Sequence, residues 1–277
     1  MNPARPSVAD KRRRFHALHV QGCFVIPNPW DPGSARWLQG LGFQALASTS
    51  SGFAWSQARH DNGITRDMAL AHLAALVEAT DVPINADFES GFAPDPAGVA
   101  ESVTLAVATG VAGLSIEDST GDAARPLFTP DEAVERMRAA RRAIDRAGGD
   151  TLLVGRAECF LVGRTDLDEV IARLKAYADA GADCLYAPGL REPAQIRAVV
   201  DAVAPRPLNL LVGWPSSLGV ADYAALGVRR ISLGGALARA AWGGFQRAAR
   251  MLSEQGRFDA LADAAKGAEL DGFFRAR

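Results

Sequence analysis

The stretch Pro83-Ile84-Asn85-Ala86-Asp87-Phe88-Glu89 decides how this chain is read. A short apolar run ends in carboxylates. Asp95-Pro96 then caps and opens a helix, because proline lacks only a donor that the first helical turn leaves unused. The same unit recurs on both sides. Upstream, Phe24-Val25-Ile26 precedes a helix over 34–41, and Ala45-Leu46-Ala47 leads through Ser48-Thr49-Ser50-Ser51-Gly52 and a long loop to a helix over 65–80. Downstream, Gly113-Leu114-Ser115-Ile116 ends in Glu117-Asp118 and is followed by Thr129-Pro130-Asp131-Glu132, a capping box with proline just inside. Further runs begin at Leu152 (ending in Arg156-Ala157-Glu158), Cys184, Leu208 and Arg230, and a last long helix covers 236–252.

Eight apolar runs interleaved with helices, with no linker rich in proline, glycine or serine, predict an α/β chain folded as one (β/α)8 TIM barrel over 1–277. An open doubly wound sheet has the same alternation, but no glycine-rich phosphate fingerprint follows the first run. The tail, 254–277, carries a short helical pattern over 261–268 and ends in Phe273-Phe274, aromatics that suggest docking on this barrel or on a neighbouring subunit, with the neighbour favoured.

The bulk properties fit this reading. The chain has 277 residues, 48% hydrophobic and 22% charged, with a formal charge of −2. No long basic block appears, so nucleic acid is not an expected partner. Lys11-Arg12-Arg13-Arg14 reads as the solvated face of a helix, since no apolar signal region follows it. No membrane-spanning stretch is present, and Cys23, Cys159 and Cys184 lack metal-ligand spacing, which suggests core thiols in a reducing cytoplasm.

In such a barrel the chemistry lies where the C-terminal strand ends converge. Asp87 and Glu89, two apart in an extended segment, face the same way, and Glu117 from the next strand completes an oxygen cage suited to Mg²⁺ or Mn²⁺. The same acids also read as helix caps or as partners of Arg156 in an ion network. Arg156 has a planar fork for a substrate carboxylate or phosphonate. The Thr49–Phe53 turn offers N–H groups for an anionic oxygen, and Trp30 and Phe53 read as pocket walls or as packing. His60 and Asp61 lie in the loop after the second strand, His60 reading as a solvated side chain.

These segments resemble the isocitrate lyase / phosphoenolpyruvate mutase superfamily. The resemblance rests on Pro83–Phe92, Gly110–Asp118, Gly155–Phe160, Ala178–Asp183, Pro27-Asn28-Pro29-Trp30-Asp31 and Thr49-Ser50-Ser51-Gly52, in consistent order over roughly residues 20 to 250. It implies a barrel whose last helix is exchanged between subunits in a homotetramer built as a dimer of dimers. It also implies Mg²⁺ held mainly through water by Asp87, Glu89 and Glu117, with Asp61 near that shell as a catalytic group. Ser51, Gly52 and Phe53, with Trp30 and Asp87 nearby, would bind a 2-oxo acid, and Arg156 would serve both binding and catalysis. The implied activity is a carbon–carbon lyase acting on a small 2-oxo or 2-hydroxy (di)carboxylate through a metal-stabilised enolate. A hydrolase, a phosphonomutase-type enzyme and a non-catalytic 2-oxo acid-binding barrel are the alternatives.

The sequence departs from the pattern in one place. The lyases carry a lysine-cysteine-glycine-histidine stretch in a mobile loop after the fourth strand, and the mutases supply lysine and asparagine there. This chain has Ser119-Thr120-Gly121-Asp122-Ala123-Ala124-Arg125-Pro126, with none of these. Water, or a loop residue such as Asp122 or Arg125, would then take the place of the acid.

Overall fold

The computed structural model describes residues 5–275. Its sheet has eight parallel strands: β1 (Phe24–Ile26), β2 (Leu46–Ala47), β3 (Ile84–Asp87), β4 (Gly113–Glu117), β5 (Leu152–Arg156), β6 (Cys184–Tyr186), β7 (Leu208–Leu211) and β8 (Arg230–Ser232). They pair in the order β1-β8-β7-β6-β5-β4-β3-β2. At the remaining seam the Ala47 N–H donates to the Pro27 carbonyl at 3.1 Å, bringing β2 to the end of β1. The chain is therefore a (β/α)8 TIM barrel.

The strands are short and mostly apolar because both faces are covered, with polar residues at some inward positions of β3, β4, β5, β7 and β8. Outward residues pack under the helices. Inward residues of the lower barrel, among them Ile26, Ala45, Ala112, Leu152 and Val154, form a separate cluster closed from below by Phe15 of the helix Val8–Leu18. Phe15 is fully buried, a burial that stabilises the fold by about 2–3 kcal/mol. A Cβ on Gly113 would stand 2.7 Å from the Phe15 ring, so the plug requires glycine there.

The helix starts follow local chemistry. Asp95 accepts the Gly98 N–H at 2.8 Å, and Thr129 and Glu132 form the capping box ahead of Pro130–Arg146. After β2 the structure differs from the sequence reading. Ser50–Ser56 is a helix, with Thr49 as its N-cap accepting from the Gly52 N–H at 3.2 Å. Small polar residues favour turns and N-caps alike, and here the cap prevails, leaving a shorter loop before the helix Arg66–Ala79.

The tail also differs. The helix Ala236–Gln255 is followed by a 3₁₀ turn, Asp259–Asp263, and a helix, Gly267–Arg275, further along the chain than the 261–268 pattern suggested. Phe273 and Phe274, expected on a neighbouring subunit, dock on Trp37 of their own barrel, with ring centroids 4.5 and 6.4 Å away. Gly40 leaves the slot that the Phe273 ring enters; a side chain there would collide with it.

Candidate active site

In-register neighbours in a sheet carry their side chains on the same face. The pairs Glu117–Arg156, Arg156–Tyr186, Tyr186–Asn209 and Asn209–Arg230 therefore make one row around the inside of the barrel. Above and beside this row lies a cavity of about 220 Å³, roughly seven water molecules' worth of liquid volume. It opens at the C-terminal strand ends, where Ser50, Ser51, Asp61, Asp87, Glu117 and Arg156 line it.

Arg156 is the hub. Its Nη1 lies 3.0 Å from Asp87 Oδ1 and 2.9 Å from Glu117 Oε2, and its Nε donates to Glu158. Its Cζ sits 5.1 Å from the centroid of the Tyr186 ring. The second oxygen of Asp87 accepts the Ser50 N–H and hydroxyl, each at 2.9 Å. One guanidinium thus serves three carboxylates, and Glu89 and Asp61 add two more acids nearby, a formal −4 if all five are ionised.

That imbalance appears in the acidities. Burial, reinforced by Asp87 and Asp61, pushes the Glu89 carboxyl up to about 8 despite Arg156. Burial raises Glu117 well above the usual carboxylate range; Arg156 opposes this, but Glu158, Asp87 and Glu89 add to it. Partial burial and the Asp87 charge raise Asp61. For Arg156, burial disfavours the charged form, and Glu117 and Glu158 more than reverse that effect.

Asp87 and Glu117 are brought together, though through a guanidinium. Glu89 does not follow by strand alternation, because β3 ends at Asp87 and Glu89 has a left-handed backbone (φ 46°). Its N–H···O ladder is replaced by a bond from the Glu117 N–H to the Glu89 carbonyl at 3.0 Å. The buried Arg136 secures the rest of this bend, donating to the carbonyls of Ser90 and Ala93 at 2.7 Å each and Pro94 at 3.2 Å. Such strain persists only where its surroundings over-determine it.

The donor set fits a hydrated divalent cation. Glu89 Oε1 is buried without a hydrogen-bond partner, the donors are all oxygens, and the acids outnumber the arginine. No group of three or more His, Cys, Asp or Glu among the described residues is arranged to hold an ion directly. Mg²⁺, which retains several of its waters, suits that arrangement.

Ser51 lines the cavity, its hydroxyl 3.2 Å from that of Thr49, and Asp61 reaches it from the exposed loop at the rim. Trp30, Gly52 and Phe53 stand outside the lining. Gly52 is wedged between Thr49, Ala238 and Trp30, with its N–H taken by the Thr49 cap, and Phe53 stacks on His72 at 3.9 Å. Next to Glu117, Asp118 is structural: it accepts from Tyr177 Oη at 2.6 Å, Arg173 at 3.1 Å and the Glu158 N–H at 2.8 Å. The segment 119–127 is a tight hairpin, with Thr120 N–H on the Pro126 carbonyl at 3.0 Å. Ser119 faces the cavity; Asp122 is exposed and turned to the Ala124 N–H, and Arg125 pairs with Glu132.

The sequence reading did not single out Asn85, Tyr186, Asn209 or Arg230, which line the deeper cavity. The available signal was polar residues at inward positions of otherwise apolar strands, where barrels usually carry branched aliphatic side chains.

Comparison with known proteins agrees with this architecture. Residues 15–253 match a family model described as phosphoenolpyruvate phosphomutase. A putative lyase/mutase from Burkholderia cenocepacia J2315 superposes with a TM-score of 0.94 at 47% identity, covering 97% of this chain and 98% of that one. An oxaloacetate decarboxylase of Paraburkholderia xenovorans is 30% identical over 230 residues, 80% of this chain and 74% of the relative. A structure of oxaloacetate acetylhydrolase gives a TM-score of 0.84 at 26% identity, covering 98% and 95%. The chain therefore belongs to the phosphoenolpyruvate phosphomutase family and is an enzyme of the isocitrate lyase / phosphoenolpyruvate mutase superfamily.

Proposed function

We propose that the protein is a Mg²⁺-dependent carbon–carbon lyase acting on a small 2-oxo or 2-hydroxy dicarboxylate. The observation that carries this is the Arg156 hub: Asp87 and Glu117 gathered on one guanidinium, with the unpartnered Glu89 oxygen beside them. Asp87, Glu89 and Glu117 would hold the cation, largely through its waters, with Asp61 at the edge of that shell. When bound, the cation supplies a fixed positive charge beside the oxygen on which negative charge develops as the bond breaks.

The chain's own groups do the rest. Ser50 fixes the Asp87 carboxylate through two hydrogen bonds, so its free face stays aimed at the cavity. The Ser51 hydroxyl is placed to bind a substrate oxygen, and Arg156 to orient a carboxylate with one arm while bound to its acids with the other. No cysteine, lysine or histidine lines the cavity among the described residues. The proton that quenches the product enolate therefore comes from water, from the hydroxyls of Ser119 or Tyr186, or from Asp61, a carboxyl that burial and the Asp87 charge make a weaker acid.

The deciding experiment is product analysis with metal-stripped protein and a panel of 2-oxo and 2-hydroxy dicarboxylates, oxaloacetate included, with and without Mg²⁺. Metal-dependent release of pyruvate or glyoxylate is the expected result. Turnover unaffected by stripping, or no turnover of any member, overturns it. The likeness to oxaloacetate acetylhydrolase supports a second reading, hydrolytic cleavage, for which oxalate and acetate appear instead.

The assembly proposal rests on the helix Ala236–Gln255, which buries only Ala238 and exposes Trp242, Phe245 and Leu252. With exposed Phe258 and Leu261 this is an apolar surface of the kind that marks an interface. A second copy exchanging this helix, in a dimer of dimers, would cover it. Light scattering at four times the chain mass supports the assembly; a monomer at micromolar concentration excludes it.

A further inference from the structure

The cavity has a second cationic end. Arg156 is the last residue of β5, at the mouth, whereas Arg230 is the first residue of β8, at the bottom of the same inward row. Arg230 is 2% exposed and lines the cavity floor. Its Nε donates to Asn209 Oδ1 at 2.7 Å; its Nη1 has only long contacts, 3.4 Å each, to Asn85 Oδ1 and His19 Nε2. Asn209 in turn donates to Ser232 Oγ at 2.9 Å. No carboxylate pairs with Arg230 among the described residues, in contrast to Arg156 with three.

A buried guanidinium whose partners are two amides and an imidazole keeps its positive charge uncompensated. Burying a charge is costly unless it is paired. A floor built only for packing would carry the branched aliphatic residues usual inside a barrel. Here Asn85, Ser115, Asn209 and Ser232 surround an open, polar shaft that leads up to the acidic mouth.

We propose that Arg230, held by Asn209 and Asn85, is an anion subsite that takes the distal carboxylate of the substrate, so that the enzyme selects short dicarboxylates over monocarboxylates. This deepens the proposed function and rests on its placement of the 2-oxo acid end at the mouth. The acidic mouth repels a free anion, so the inner cation supplies the attraction that draws the second carboxylate past it. Arg230 acts here as a specificity residue. It has no part in bond breaking.

The test is calorimetric titration of the whole chain, in Mg²⁺, with pyruvate as the monocarboxylate and with malonate and succinate as dicarboxylates, neither of which the proposed cleavage consumes. For the unaltered protein a dicarboxylate binds at least tenfold more tightly than pyruvate. Arg230→Met, of similar length and no charge, removes that advantage and leaves pyruvate affinity within about twofold; Arg230→Lys retains part of it. Equal loss of pyruvate and dicarboxylate binding in Arg230→Met, or loss of neither, overturns the subsite, the latter marking a water-filled shaft. Should Arg230→Met fail to fold, the unaltered chain still decides: dicarboxylates bound no more tightly than pyruvate overturn it. Pyruvate that fails to bind in Mg²⁺ counts against the proposed function, whereas Mg²⁺-dependent pyruvate binding with no dicarboxylate preference counts against this inference alone.

Discussion

Arg156 and Glu117 are register partners at the tips of β5 and β4, and they form an ion pair of 2.9 Å whose side chains are 16% and 8% exposed. A pair so placed is held by geometry on two adjacent strands and shielded from salt. Its charge is shared with Asp87 and Glu158, so the guanidinium has more anionic partners than it can neutralise.

Removing Arg156 exposes that imbalance. Arg156→Met should destabilise the metal-free protein by about 3–5 kcal/mol, the usual result of leaving buried charges unpaired. Added Mg²⁺ should restore part of the loss, because a cation replaces the missing charge. Urea denaturation with and without Mg²⁺ measures both. Equal denaturation midpoints for the variant and the unaltered chain would show the hub to be dispensable.

Glu89 is predicted to cost stability while serving the metal. Its Oε1 is buried without a partner, so Glu89→Gln should raise the melting temperature of metal-free protein. The same change should reduce the stabilisation given by saturating Mg²⁺, which for the unaltered chain is about 2.7 kcal/mol at a hundredfold excess over the dissociation constant. Thermal melts across a Mg²⁺ series test this; an undiminished Mg²⁺ response in Glu89→Gln refutes it.

The neighbouring acids Glu117 and Asp118 should separate cleanly. Asp118 binds Tyr177, Arg173 and the Glu158 N–H deep in the wall. Asp118→Asn should lower stability by several kcal/mol, about 3–5 by the same unpaired-charge argument, with kcat changed by less than about threefold where the protein is folded. Glu117→Gln should lower kcat by about a hundredfold or more, the scale seen when one preorganised electrostatic group is lost. Activity and denaturation measured on both variants give the comparison, and the reverse pattern would exchange their roles.

Acid should weaken the fold through His72. Burial lowers its pKa from 6.5 to about 4, and the ring lies against Phe53. Between these values the unfolded chain binds a proton that the folded chain refuses, so stability falls as pH drops from 6.5 towards 4 and is unaffected by this group above that window. The full shift corresponds to about 3 kcal/mol. His72→Phe keeps the stack and removes the proton. Its stability relative to the unaltered chain should therefore rise steadily as the pH falls from 7 to 4; a constant difference rules the effect out.

Some of this was legible from residue order alone. The alternation of short apolar runs with capped helices determines the barrel, because strand and helix periods are local properties and a parallel strand buried on both faces must read as a continuous apolar run. Strand ends follow the same logic, and residue order alone puts Asp87, Glu117 and Arg156 at the mouth. Thr49 shows the limit of local reading: a run of small polar residues suits a turn and a cap equally, and burial of Ala54 on the barrel side selects the helix.

The tertiary structure alone decided which charges meet. Glu89 reaches its place through a left-handed bend secured by Arg136 from a helix more than forty residues away, which no alternation rule anticipates. The inward row from Glu117 to Arg230 exists only because the strands tilt around a closed barrel, so that residues 113 positions apart in sequence share one cavity. Local sequence sets backbone period and caps; the long-range pairing of strands sets the neighbours of a buried charge, and those neighbours determine its chemistry.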